Sequence, residues 1–230
     1  MYGAFLFPLM LDLHCKVNYS VKKNMSIPSD QLKKSKLNLS KELIIESSLS
    51  MIEDNGIDGF SLRKLAHKLN CEAMSIYYHM KNKDQIFDQI VDHLISKITF
   101  ENQKNNPKEQ LISIARQWRR LAQQHPNFFP ILAVHPLNTK SGNHFMNQIL
   151  MILEAANLSQ KQASYFLRVI NYYLIGVGID EAKGYHLAVK QNISDEDALL
   201  AKAKSYWTIE DQNQIFELGL NILLNSIFNE

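Results

Sequence analysis

The amino-acid sequence predicts an all-α fold, in which a three-helix N-terminal head precedes a helical bundle. After Leu39, apolar residues recur at intervals of three and four, which is the spacing of one helix face. Residues that favour helix starts and ends separate these runs, whereas the alternating patterns typical of strands are few. A chain of 230 residues with 46% hydrophobic side chains can bury the core that this fold requires.

The first 38 residues differ from the rest because they are basic and lack a sustained helical pattern. Seven lysines and a single acid, Asp30, lie between Lys16 and Lys41. We interpret residues 1–38 as a disordered basic N-terminal extension or as an over-long start, for which Met25 is an alternative initiator.

The apolar runs and the cysteines argue against several classes of protein. The longest apolar run, Tyr2–Leu11, is too short to span a bilayer and lacks the basic residues that precede a signal-peptide core. The two cysteines, Cys15 and Cys71, do not have the spacing of a zinc site or of a disulfide framework. We therefore expect a cytoplasmic protein with no membrane partner, no metal and no cofactor.

Helix signals are clear at the start of the head, residues 39–100. Ser40 is a favoured N-cap for the first helix, and Gly56 ends it because glycine tolerates the left-handed conformation of a helix end. Ser61 caps a shorter second helix. The apolar faces of these two helices are predicted to be Ile45, Ser48, Leu49 and Ile52, then Leu62, Leu65, Ala66 and Leu69.

A third, short helix completes the three-helix head, and a longer fourth helix follows it within residues 39–100. The pair Asn70-Cys71 predicts a tight turn, after which the third helix runs from about Ala73 to His79. Asn82 caps the fourth helix. Its predicted buried side consists of Ile86, Phe87, Ile90, Val91, Leu94, Ile95 and Ile98.

Residues 101–230 are predicted to form the helical-bundle domain. A fifth helix starts at Asn106-Pro107, and another runs from Phe145 to Ala156. Ser159 caps a long helix that runs towards Gly184, and the last helix runs from about Asp211 to Phe228. Short pieces are expected between His125 and His135 and after an acidic cap at Ser194-Asp195-Glu196.

The segment Ser61–Lys81 has the form of a helix-turn-helix that reads DNA. The major groove is about 12 Å wide and admits one helix, whose outer face must be polar or aromatic. We expect Ile76, together with Met74 or Met80, to face the core. The outward groups available for bases and phosphates are then Ala73, Ser75, Tyr77, Tyr78, His79, Lys81 and Lys83.

Two runs in this region resemble the DNA-binding head of the tetracycline-repressor family. They are Gly56-Ile57-Asp58-Gly59-Phe60-Ser61-Leu62-Arg63-Lys64-Leu65-Ala66 and Ser75-Ile76-Tyr77-Tyr78-His79-Met80-Lys81-Asn82-Lys83. The resemblance extends weakly to the last helix. It implies a homodimeric transcription regulator, a repressor, that binds a palindromic operator and releases it when a small molecule enters the second domain. The DNA-facing positions that it implies are Arg63, Ala73, Ser75, Tyr77, Tyr78, His79 and Lys83.

The resemblance also implies a ligand pocket and a dimer interface in residues 101–230. The candidate ligand contacts among the fifth to eighth helices are Trp118, Phe129, His135, Asn171 and Tyr173. The histidines lack the helical ligand spacing of a metal site. We expect the dimer interface on the two long helices predicted above, whose glycines permit close helix approach; they are Gly176, Gly178 and Gly219.

Two other interpretations stay open. A ligand-independent DNA-binding dimer would have a filled second domain without a cavity. A helical enzyme is the remote alternative, because the sequence has no nucleophile elbow, no phosphate-binding loop and no clustered pair of carboxylates.

The charge of the head is unusual for a DNA-binding region. From Ser40 to Phe100 there are seven basic and nine acidic residues, so the net charge is −2. Affinity for DNA would therefore depend on where the charges lie and not on their sum.

Overall fold

The computed structural model describes residues 39–100, 106–184, 198–208 and 211–228. These residues form ten α-helices and no strand, which confirms the all-α prediction. The helices are α1 (Lys41–Asn55), α2 (Leu62–Lys68), α3 (Ala73–His79), α4 (Lys83–Ile95), α5 (Pro107–Gln124), α6 (Phe129–Val134), α7 (Lys140–Ala155), α8 (Gln160–Lys183), α9 (Ala198–Lys204) and α10 (Gln212–Phe228). The predictions about residues 1–38 and about an acidic cap at Ser194 lie outside the described residues.

Four side chains predicted as N-caps begin helices as expected. Ser40, Ser61, Asn82 and Ser159 each accept a hydrogen bond, at 2.8 to 3.3 Å, from the backbone N–H three residues later. Such a bond satisfies a donor that has no partner inside the helix. Gly56 follows the end of α1 with φ of 71°, in the left-handed region that favours glycine.

Helix α7 begins earlier than the predicted start at Phe145. Thr139 caps it by accepting a hydrogen bond from the Gly142 N–H at 3.0 Å. Gly142 is buried so tightly that a Cβ atom there would lie 2.4 Å from the Leu137 carbonyl oxygen. The first turn of α7 is mainly polar, so a search for apolar periodicity detects the helix only from Phe145 onward.

The head and the bundle share one continuous hydrophobic core. In the head, α1 packs against α2 and α4, and α2 packs against α3. In the bundle, α5, α7 and α8 pack together, and α10 lies against α5 and α8. The core therefore continues from the helix-turn-helix into the bundle behind it.

The glycines of α8 and α10 have different surroundings. A Cβ atom at Gly178 would lie 2.3 Å from the Phe129 ring, and one at Gly219 would lie 2.6 Å from the Tyr173 hydroxyl oxygen. These two glycines permit close packing inside the protomer. A Cβ atom at Gly176 would meet no atom within 4 Å outside its own stretch of helix, among the residues that the structure describes, so contacts with these residues do not explain a glycine there.

Candidate nucleic-acid interface and ligand cavity

Helix α3 exposes most of its polar and aromatic side chains. Ile76 is fully buried and Met80 is 1% exposed, so these two side chains hold the helix against the head. Met74 is 73% exposed and Tyr78 is 88% exposed. The sequence left open which methionine joins Ile76 in the core, and the structure selects Met80.

The turn between α2 and α3 is held by local backbone geometry. Asn70 adopts a φ of 51°, a left-handed conformation that asparagine tolerates better than most residues. The Cys71 N–H donates a hydrogen bond to the Ala66 carbonyl oxygen at 3.0 Å, and Ala66 is itself buried. These contacts hold α3 in a fixed orientation relative to α2.

The predicted DNA-contacting residues lie on α2, on α3 and at the start of α4. Lys83 is partly buried, because its ammonium group lies over the rings of Phe60 and Phe87, 5.7 and 5.2 Å from their centroids. The others differ in exposure: Arg63, Ser75, Tyr77, Tyr78 and Lys81 are exposed, whereas Ala73 and His79 are partly buried.

Met74 was not among the predicted contacts, although it is more exposed than Tyr77 on the same helix, at 73% against 45%. The sequence treated it as an alternative core residue. A helical wheel anchored on Ile76 and Met80, which are four residues apart, would have placed Met74 on the outer side.

Glu53, at the end of α1, connects the head to the loop between α5 and α6. Its carboxylate accepts hydrogen bonds from the backbone N–H groups of Asn127 and Phe128, both at 3.0 Å. The Asn127 side-chain amide donates to the Glu53 carbonyl oxygen at 2.9 Å. A head carboxylate thus binds a segment of the bundle.

Two acids on α4 make comparable connections. The Asp88 carboxylate lies 3.0 Å from Nε2 of His135, and the Asp92 carboxylate accepts a hydrogen bond from the Thr139 hydroxyl. We call Glu53, Asp88 and Asp92 the junction acids. Because these three acids bind the bundle, the net charge of −2 overstates the negative charge available near α3.

A small apolar cavity, the inner cavity, lies between α5, α7 and α8. Its volume is about 50 Å³, and Trp118 and Asn171, two of the predicted ligand contacts, line it among aliphatic side chains and Phe145. Trp118 is 5% exposed, and its Nε1 has no hydrogen-bond acceptor in the described part of the chain. A buried donor without an acceptor is unfavourable, so an acceptor bound at Trp118 would be stabilising.

The other three predicted ligand contacts lie outside the lining of the inner cavity. Phe129 packs edge-on against Trp118 with ring centroids 6.0 Å apart. His135 binds the junction acid Asp88. The Tyr173 hydroxyl donates to the Phe216 carbonyl oxygen at 2.7 Å, and burial raises the pKa of Tyr173 to about 12. Their proposed roles in ligand binding stay predictions.

A buried ion pair joins α5 to α8 and α10, and the sequence analysis did not identify it. The Arg119 guanidinium donates to the Glu181 carboxylate at 2.7 to 2.9 Å and to the Asn213 amide oxygen at 2.7 Å. Arg119 also lies over the Phe216 ring, 4.5 Å from its centroid. The position of Arg119 in the sequence could have indicated its burial, because Arg119 follows Ala115 by four residues and so falls on the apolar face of α5.

Helices α8 and α10 carry an exposed apolar stripe. On α8 it consists of Tyr165, Val169 and Tyr172, which are 63%, 44% and 60% exposed, and on α10 of Ile215, Leu218 and Ile222, which are 50%, 63% and 61% exposed. Spacings of three and four residues place each set on one helix face.

Comparison with known families identifies both parts of the chain. Residues 44–90 match the tetR family of bacterial regulatory proteins, and residues 101–229 match the tetracycline repressor-like C-terminal domain. The second match alone covers more than half of the sequence. The chain belongs to the tetracycline-repressor family. This confirms the family and the regulator class predicted from the sequence.

Several members of the tetracycline-repressor family align with the chain. The class A tetracycline repressor from transposon 1721 of Escherichia coli is 24% identical over 194 residues, which cover 80% of this chain and 88% of the repressor. An HTH-type transcriptional regulator of Saccharopolyspora erythraea is 22% identical over 60% of this chain. This match spans 59% of that regulator. The class D tetracycline repressor of E. coli is 36% identical over 26% of this chain, and that match spans 27% of the repressor.

Solved structures of the family share the fold. A TetR-family regulator from Streptomyces coelicolor superposes with a TM-score of 0.74 at 16% identity, covering 82% of this chain and 98% of the other. ActR of S. coelicolor in complex with actinorhodin gives a TM-score of 0.69 at 20% identity, with coverage of 83% and 96%. BioQ with its double-stranded DNA operator gives 0.62 at 18% identity, with coverage of 84% and 99%.

Among the described residues, no group of three or more His, Cys, Asp and Glu side chains is placed to hold a metal ion. Over the same ranges, no helix is both long and apolar enough to cross a membrane.

Proposed function

We propose that the protein is a repressor that binds a palindromic operator as a homodimer and releases it when a small molecule binds residues 101–230. The observation that carries the proposal is the outer face of α3, where Met74, Tyr77 and Tyr78 are exposed while Ile76 and Met80 anchor the helix. A family relative, BioQ, is known in complex with its operator, which supports DNA as the partner.

In this proposal α3 enters the major groove. Ser75 and Tyr77 offer hydroxyl groups to base edges or phosphates, and Met74 offers an apolar surface to a thymine methyl group. Arg63 and Lys81, both exposed, neutralise phosphates beside the groove. Because Met74 and Ala73 are apolar, we expect contact with methyl groups to contribute more at these positions than hydrogen bonds do.

The proposed homodimer forms through the exposed apolar stripe of α8 and α10. Large apolar patches on a protein surface usually mark an interface. Gly176 lies four residues after Tyr172, so it extends the stripe at a point where a partner helix can approach closely. Such a dimer would place two α3 helices about 34–36 Å apart or a multiple of that distance, as two half-sites require.

The proposed switch acts through the junction acids. A ligand that changes the packing of α5, α7 and α8 shifts the loops that Glu53, Asp88 and Asp92 bind. The two heads then change their separation and no longer fit fixed half-sites. ActR in complex with actinorhodin supports a small-molecule effector for this fold.

The proposal assigns no catalytic step to the chain. Family membership places it among regulatory proteins, which is not an enzyme class. We propose a cytoplasmic location, DNA and a second copy of the chain as macromolecular partners, and no cofactor besides the effector.

A ligand-independent DNA-binding dimer is the second candidate. The observation that favours it is the inner cavity, since about 50 Å³ is far below the volume of about 300–1,000 Å³ that ligand pockets usually have. A ligand would therefore have to enlarge this cavity.

The test is binding of the full-length protein to the promoter DNA beside its own gene, by fluorescence anisotropy at two salt concentrations. We expect tight binding that weakens with salt, because phosphate contacts release counterions. Tyr78→Ala should weaken operator binding at least about fivefold, as the loss of a base or stacking contact of about 1–3 kcal/mol would. Tyr206→Ala, at a similarly exposed tyrosine outside the head, is the matched control.

The result that would contradict the proposal is equal affinity for promoter and random DNA with the dimer intact, together with no preferred sequence in a genomic DNA library. If none of the compounds that bind the protein releases the operator, the ligand-independent candidate is favoured.

A further inference from the structure

Trp118, whose indole carries an unpaired donor, is one of the residues that line the mainly apolar inner cavity. The indole Nε1–H of Trp118 can only donate, and it has no acceptor among the described residues. Asn171 lines the same cavity and brings a side-chain amide to its wall. A purely apolar ligand would leave the Trp118 donor unpaired, whereas a ligand oxygen placed beside it would pair with it.

A second space, the outer groove, lies between the end of α4 and the start of α7. Its volume is about 440 Å³, within the range of about 300–1,000 Å³ typical of ligand pockets. Ile95 and Ile98 form an apolar floor, and Lys140 and His144 bring cationic or protonatable groups to its edge. No acidic side chain lines the groove over the described ranges, and Lys140 has no carboxylate partner there.

Phe145 separates the two spaces, because it lines both. It is 5% exposed, its ring stacks on Trp118 with centroids 6.2 Å apart, and it lies 5.7 Å from the Phe100 ring centroid. A change in the Phe145 rotamer would join the inner cavity to the outer groove. An elongated ligand could then contact Trp118 at one end and Lys140 at the other.

We infer that the effector is an amphipathic organic anion, an aromatic or aliphatic acid that spans both spaces. Its apolar body replaces Phe145 as the neighbour of Trp118, its inner oxygen accepts the Trp118 N–H, and its acid group binds Lys140. This inference rests on the proposed function, because it names the class of ligand that would act on the switch. Two observations support this inference: the buried Trp118 N–H donor at the inner cavity and the unpaired Lys140 ammonium group at the outer groove.

The test compares 6-hydroxy-2-naphthoate with its neutral amide, 6-hydroxy-2-naphthamide, by isothermal titration calorimetry on the full-length dimer. Both probes have the same shape and the same inner oxygen, so the difference in affinity reports the charge. We expect the acid to bind about two- to fivefold more tightly, because Lys140 is exposed and water screens an exposed ion pair. Lys140→Gln should abolish this preference, and Lys202→Gln, at an exposed lysine on α9, should retain it.

A second variant tests the inner end. Trp118→Phe keeps an aromatic ring and removes the N–H group, so it should weaken binding of the acid and of the amide by the same factor, about fivefold. Circular dichroism and operator binding of each variant show whether it is folded, so a loss of ligand binding is not mistaken for unfolding.

Three results would overturn the inference: equal affinity of acid and amide for the unmodified protein, a charge preference that survives Lys140→Gln, or no binding of either probe at concentrations up to about 1 mM. Each of these, obtained with operator binding intact, leaves the repressor proposal standing. If the unmodified protein does not bind the operator, the repressor proposal is contradicted instead. The charge preference of the ligand site can still be measured then, because the calorimetry does not use DNA.

Discussion

The head–bundle junction and the interior of the bundle use acidic side chains in different ways. At the junction, Glu53, Asp88 and Asp92 accept hydrogen bonds from loops, and the Asp88 side chain is 47% exposed. In the interior, Glu181 is 8% exposed and is paired with Arg119. A junction contact can break and leave its carboxylate in water, whereas breaking the interior pair leaves a charge buried. In the proposed switch, the polar contacts of the junction would therefore break at a lower cost than the ion pair inside the bundle.

The largest effect that tests this comparison is expected in the interior. Arg119→Ala leaves Glu181 buried without its partner and should lower the free energy of unfolding by about 3–5 kcal/mol. Arg116→Ala is the matched control, because Arg116 lies on the same helix, α5, and forms an exposed pair with Glu217 of α10. Its loss should cost below about 1 kcal/mol. Urea unfolding followed by circular dichroism measures both, and equal losses would break the distinction between buried and exposed pairs.

An intermediate effect is expected at the junction. Glu53→Ala removes the acceptor of the Asn127 and Phe128 N–H groups and should lower stability by about 1–2 kcal/mol. Hydrogen exchange of these two amides should accelerate, while exchange in α5 and α8 stays unchanged. Glu46→Ala, at an exposed acid on the same helix, should change neither. Faster exchange throughout the bundle would mean that the junction is not separable from the interior.

A smaller effect is expected where α8 meets α10. Tyr173→Phe removes the hydrogen bond to the Phe216 carbonyl oxygen and keeps the ring stacked on Phe216, so the loss should be about 1 kcal/mol. The melting temperature measures this change, and Tyr206→Phe at an exposed tyrosine is the control. An unchanged melting temperature would show that the stacked ring, and not the hydroxyl, holds α10 to α8.

The smallest effect concerns pH at the junction. Burial lowers the pKa of His125 below its ordinary value of 6.5, so the unfolded chain binds a proton more readily than the folded one. The stability that neutral His125 contributes is present above 6.5 and is lost as pH falls through the lowered pKa of the folded protein. His125→Gln should reduce the loss of stability between about pH 7.5 and about pH 5.5 in urea unfolding. The same loss in both proteins would assign the pH dependence to other groups.

Local signals in the sequence predicted most of the fold. The caps Ser40, Ser61, Asn82 and Ser159 were identified because a capping side chain acts on a backbone N–H only three residues away. The start of α8 followed from this signal, whereas the start of α3, which has no side-chain cap, followed from the turn at Asn70-Cys71. The start of α7 was missed because its first turn is polar and carries no apolar period.

Contacts between distant residues could not be read from the sequence. Trp118 and Asn171 line one cavity, and their role in ligand binding stays a prediction, whereas His135 and Tyr173 bind Asp88 and Phe216, which no local pattern connects to them. The junction acids were counted as charges of the head, and their partners lie about fifty or more residues later in the chain. Which side chain satisfies a given carboxylate is decided by packing and not by spacing.

The two aromatic rings beneath Lys83 have a consequence for the thermodynamics of recognition. A free lysine side chain loses rotamer entropy of up to about 2 kcal/mol when it is fixed on a phosphate. Lys83 already lies over Phe60 and Phe87, so folding has removed much of that freedom before any duplex arrives. Binding of a phosphate to Lys83 would therefore cost less side-chain entropy than binding of a phosphate to Lys81, whose side chain is exposed.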